Sequence, residues 1–204
     1  MFDFFNGLLS QYISNNFLLD IIVSFAITCI VLLSVMIAGF IVDFLENVCL
    51  NLLTWIAGAN FALIVCNYLT LPGVIVHELS HAFFVFLTGA TLTELRLFEF
   101  CRSGRLGHVS FRTVGNKRQQ GVQLAFISCA PVLVGFILEY IMFFVFVRVS
   151  ISGPLRWFLY YLIFSVGCHM SMSNEDIINY FKGIFVVFPF MFSVFLFVQY
   201  FFVR

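Results

Sequence analysis

The amino-acid sequence predicts an all-α polytopic membrane protein of about six transmembrane or partly re-entrant helices, with a small amphipathic β-hairpin after the third. Three observations carry this expectation. The chain is 62% hydrophobic and only 10% charged, with 30 Phe among 204 residues, far from the soluble average. Its apolar runs fall at about 17–42, 52–71, 73–89, 121–147, 157–181 and 184–203, each near the ~20 residues that cross a bilayer. Only one sizeable stretch, TLTELRLFEFCRSGRLGHVSFRTVGNKRQQ at 91–120, is polar.

The elements follow in order. The opening MFDFFNGLLSQYISNN has Asp3 where a signal peptide carries basic residues, so the first apolar run is expected to be retained as a span. Pro72-Gly73 separates the second run from the third, because proline lacks a backbone donor and disfavours helix in the residue before it. Within 91–120, ELRLFEF alternates charged and apolar side chains, and RLGHVSFRT follows the turn signal RSG as a second strand. This loop holds six of the ten basic residues, so the positive-inside rule places it in the cytoplasm and, with six spans, both termini outside. Its apolar face can lie on the lipid bilayer or on an extended peptide. No internal repeat or linker divides the chain, so residues 1–204 form one membrane-embedded domain with its core at about 52–183.

Ten Lys+Arg balance ten Asp+Glu, which gives no electrostatic argument for nucleic acid. The six cysteines form no C-x-x-C pair and mostly sit in apolar segments, as small, reduced, structural side chains.

Chemistry concentrates in HELSH, residues 77–81, inside an apolar run. Residues four apart on a helix share a face, so His77 and His81 can present two imidazole nitrogens to one ion, with Glu78 beside it. Zinc with one open position lowers the pKa of its water to about 7, and Glu78 would serve as general base and then proton donor. The alternative is a set of polar residues lining a bundle interior. Against it, a chance H-E-x-x-H in a chain with four His has a probability of roughly two in a thousand. Charged groups at bilayer depth also cost about 2.5–3.5 kcal/mol each.

A hydrolytic site needs a third ligand, and the candidates are His108, His169, Glu139, Glu175, Asp176 and the cysteines. His81 lies eight residues before Gly89, about 12 Å down its helix. Lys182-Gly183 reads as a helix C-terminus, which places Asp176 about 9 Å from the same face and His169 near 20 Å, as a polar-lining residue and fallback ligand. Glu175 is the less favoured donor of the acidic pair. Ser173 to Asp176 also fits a capping box, which would begin a helix; both readings hold if the helix is broken at the metal. Glu139 is expected near the outer interface, solvated, and His108 as an ordinary strand histidine. Gly121, Ala125 and Ser128 make a small-residue stripe for close helix approach, and Pro131 frees a backbone carbonyl, as a kink or a place for substrate backbone.

The string VIVHELSHAFFVFLTGA resembles the H-E-x-x-H helix of the site-2 protease family of intramembrane zinc metalloproteases. The resemblance covers about residues 55–183. It implies zinc held by His77 and His81, catalysis by Glu78, and an acidic third ligand from a later helix, matched by Asp176 in MSMSNEDI. It further implies strands after the H-E-x-x-H helix, a membrane protein substrate cut in or near a transmembrane segment, and a multi-pass place in the membrane. The family's glycine after the aspartate is here Ile177, and its Gly-Pro-x-x-Asn signature is reduced to Ala130-Pro131. Two other functions stay open at this point: a non-catalytic membrane scaffold or binder with a structural zinc, and a metal transporter or sensor, for which one ligand cluster is few.

Overall fold

The computed structural model describes residues 1–9, 16–97, 107–149 and 151–203. A short helix α1 (Phe2–Leu9) precedes the long α2 (Asn16–Ala57), which leads into α3 (Ala59–Ile64), a π-helical turn (Val65–Leu69) and α4 (Leu71–Thr88). Strands β1 (Thr91–Arg96) and β2 (His108–Arg112) follow, then α5 (Lys117–Arg148), α6 (Pro154–Cys168) and α7 (Asn174–Val198), ending in a π-helical turn (Gln199–Val203).

The mostly helical fold and the two-stranded sheet are as expected, while the division of the apolar runs into helices differs in places. Among the described residues four helical stretches are long and apolar enough to cross a membrane: Phe17–Ala57, Leu71–Thr88, Lys117–Arg148 and Asn174–Phe202. The run at 17–42 and the start of 52–71 merge in α2, because DFLEN at 43–47 contains no helix breaker. At 42 residues α2 is about 63 Å long, twice the ~30 Å hydrocarbon core. The run at 157–181 divides instead: α6 ends at Cys168, and Ser173 caps a new helix that absorbs the run at 184–203.

Lys182-Gly183 is therefore no helix terminus but the interior of α7. Gly183 is needed there for closeness: a Cβ would lie 2.3 Å from the Gly121 carbonyl oxygen and 2.7 Å from the Ala125 Cβ. The expected small-residue stripe of α5 is thus the seat of α7. Gly89 does end α4, in the left-handed conformation at φ 72°. Leu32, Ala125, Cys129, Val132, Met172, Tyr180 and Val187 form the core where α2, α5 and α7 meet.

The strands pair antiparallel, from Thr91 opposite Arg112 to Arg96 opposite His108, with a bulge at Thr93. The RSG turn and the end of ELRLFEF lie outside the described residues. Glu94 accepts a hydrogen bond from Arg96 Nε and pairs with His108 Nε2 at 3.3 Å. These bonds, that from Arg96 first, hold the Glu94 carboxyl below the usual carboxylate range.

Candidate metal centre

The site forms where α4, α5 and the gap between α6 and α7 converge. Helix α4 supplies His77 and His81 one turn apart, with ring centroids 4.9 Å from each other. Each ring is held from behind by a backbone carbonyl: His77 Nδ1 donates to His169 O at 2.8 Å, and His81 Nδ1 donates to Ile127 O at 2.8 Å. A carbonyl only accepts, so both Nδ1 atoms carry the proton. In the neutral rings both Nε2 atoms are then bare lone pairs, and they face each other at 3.2 Å.

Asp176 completes the cluster. Its Oδ2 lies 3.7 Å from His81 Nε2, and ligand atoms of His77, His81 and Asp176 all fall within 4.8 Å of one another. The capping box is also real: Ser173 Oγ accepts from Asp176 N at 3.2 Å and donates to Asp176 Oδ2 at 2.6 Å, while Ser173 N donates to Asp176 Oδ2 at 3.1 Å. Cap and candidate ligand coexist because the helix is broken here. Asp176 reaches the site at the start of α7 and not near a helix C-terminus, so the depth count named the residue for a wrong geometric reason.

Zinc fits this donor set. Two neutral imidazoles and a carboxylate are its usual hydrolytic ligands, and tetrahedral bonds of 2.0–2.1 Å separate ligand atoms by about 3.3 Å. The separations of 3.2 Å and 3.7 Å bracket that value.

Beside the cluster opens a cleft of about 260 Å³ that Glu78, Gly107, His108, Val109, Phe111 and Asn179 help to line. Glu78 is buried, at 8% exposure. The hairpin presses on it closely: a Cβ at Gly107 would lie 2.8 Å from Glu78 Cγ. His108 is a strand residue, as expected, yet its strand forms the cleft wall; no spacing signal ties it to residues 30 positions earlier.

Glu175 lines the cleft but stands outside the three-residue cluster. His169 acts through its carbonyl, while its ring meets Thr70 Oγ1 at 2.6 Å and Glu46 Oε1 at 3.8 Å. Glu139 is half-buried; its Oε1 is enclosed with no hydrogen-bond partner among the described residues, and the residue lines a cavity together with Glu46 and His169. Glu46 was missed by sequence reading, since an acid among apolar residues near a run boundary looks like an interfacial one. Among the described residues, Cys29, Cys49 and Cys129 carry free thiols.

Fold and site together define a helical, membrane-type chain with an H-E-x-x-H helix and an acidic residue gathered as a candidate metal centre. Comparison with family models, with curated proteins and with solved structures finds no match.

Proposed function

We propose that the chain is an intramembrane zinc endopeptidase, of the kind its H-E-x-x-H string resembles, acting on a transmembrane or membrane-proximal segment of another protein. One observation carries the reading: two imidazoles are fixed by carbonyls so that their lone pairs converge at 3.2 Å, with a carboxylate beside them. Two converging acceptors repel unless a cation or a proton lies between them, and a polar packing cluster would pair donor with acceptor.

His77, His81 and Asp176 would hold the ion. When bound, zinc supplies Lewis acidity and an acidified water. Glu78, the next residue after His77, takes a proton from the attacking water as its oxygen bonds to the peptide carbonyl carbon. It then delivers that proton to the amide nitrogen as the C–N bond breaks. A helical substrate must unwind first, since its amides are already paired. β2, with Val109 and Phe111 along the cleft, offers an edge on which an extended segment can lie by strand addition.

The test compares wild type with Glu78→Gln in cells, reading membrane-protein fragments by mass spectrometry and zinc content by elemental analysis of the purified chains. Fragments that vanish in Glu78→Gln while zinc stays at one per chain support the reading. Zinc retained with identical fragments in both would leave the scaffold alternative, and wild type without zinc would remove the site.

A further inference from the structure

The two carbonyls that orient the imidazoles both lie where the regular helical pattern of acceptors is interrupted. His169 O lies past the last residue of α6, at its C-cap. Ile127 O lies within α5, where it would normally accept from the N–H of residue 131. Residue 131 is proline, which has no N–H.

We propose that Pro131 is a positioning residue for the metal, acting through Ile127 on His81. By deleting one donor it leaves the Ile127 carbonyl available inside an otherwise continuous helix. His81 Nδ1 donates to that carbonyl at 2.8 Å. This bond fixes the tautomer, so that Nε2 faces His77 and Asp176 as an acceptor. The contact is sheltered from water, because Ile127 is fully buried and Pro131 and His81 are buried with it. Beside the two uses expected for the carbonyl freed by Pro131, a simple kink and a contact for substrate backbone, the structure shows a third: a histidine of the chain donates to it.

The mechanism makes a separable claim, that the missing N–H matters and not the ring. Pro131→Ala restores a donor that competes with His81 for the same oxygen. Lactic acid placed at 131 by nonsense suppression has the alanine side chain but an ester oxygen in place of N–H. Zinc affinity is measured by chelator competition on full-length protein in detergent, and the tetrahedral Co²⁺ absorption bands give a second reading. The expected result is wild-type affinity and spectrum for the lactyl chain. For Pro131→Ala, affinity falls about tenfold or more, the range typical of lost partners behind metal ligands, and the Co²⁺ bands shift. Equal affinity in Pro131→Ala and wild type overturns the proposal. So does equal weakness of the Ala and lactyl chains, which would trace the effect to ring packing. The proposal rests on the metal reading: a wild-type chain that takes up neither ion defeats both, whereas a binding wild type with an indifferent Pro131→Ala defeats this one alone.

Discussion

Asp176 meets two demands through one oxygen. Its Oδ2 takes the cap bonds of Ser173 and also stands 3.7 Å from His81 Nε2. The demands separate under substitution. Asp176→Asn keeps an oxygen for the Ser173 N–H but removes the charge, so zinc affinity should collapse while the α7 cap persists. Ser173→Ala removes the cap hydroxyl, which costs about 1 kcal/mol of stability, and frees the carboxylate to swing, weakening zinc by about tenfold. Thermal unfolding and chelator competition on the two variants check this ranking; full zinc in Asp176→Asn would pass the third-ligand role to Glu175, His169 or a cysteine. Glu94 makes a different statement, through pH. Its folded pKa lies below the ordinary 4.5, so its bonds to Arg96 and His108 support the hairpin above that value and are lost as pH falls through the depressed one. Proteolysis of the 91–112 hairpin should therefore quicken in acid, and less steeply in Glu94→Gln.

The element that decides the site is the irregular segment between α6 and α7. Met170, Ser171 and Met172 are buried without helical bonds of their own, yet this segment delivers both the His169 carbonyl and Asp176. Three contacts pin it. A Cβ at Gly39 of α2 would lie 2.7 Å from Met172 Cγ, one at Gly135 of α5 would lie 2.3 Å from Met170 Cγ, and Ser171 Oγ donates to Glu46 Oε2 at 3.3 Å. Gly39→Ala should push Met172 aside and weaken zinc by about tenfold. Gly39→Ala with Met172→Ala should recover most of the loss, since the colliding Cγ and Sδ are gone; a double variant as weak as the single would refute the pin. This segment also marks where sequence reading stopped. HELSH was legible because two histidines one helical turn apart, with a glutamate between them, rarely arise by chance inside an apolar run. Asp176 was legible because few acids occur in the apolar runs. The break was legible only in part: the Ser173–Asp176 capping box signals a helix start, but two methionines extend the apolar pattern and no proline announces where α6 stops. Glycine misled at 183 and not at 89 because its two uses, positive φ and absent Cβ, look alike in a sequence. Pairing across helices, such as Glu46 with Ser171, has no local signature at all.

At the scale of the molecule the question is how water and substrate reach a site built among apolar helices. His81 lies eight residues, about 12 Å, from Gly89. The Ile127 position on α5 is ten residues, about 15 Å, from Lys117 and twice as far from Arg148. Both routes lead to the end of α4 and α5 that bears the hairpin, and the cleft opens between the H-E-x-x-H helix, β2 and the start of α7. The same end carries Arg96, Arg112, Lys117 and Arg118, four of the ten basic residues, so by the positive-inside rule the cleft should face the cytoplasm. Asn179, half-buried in the cleft wall, can report this. In a chain freed of its native cysteines, Asn179→Cys should react with a charged, membrane-impermeant thiol reagent in inverted vesicles and stay protected in right-side-out ones. A chain retaining only Cys101, which falls between the two strands in sequence, reports independently the side on which the hairpin lies. Bound zinc should slow the Asn179→Cys reaction, because Asn179 shares a cleft with His77, His81 and Asp176. Labelling of Asn179→Cys from the face opposite Cys101 would mean that water reaches the centre from the other end, and the hairpin could not be the edge on which substrate lies.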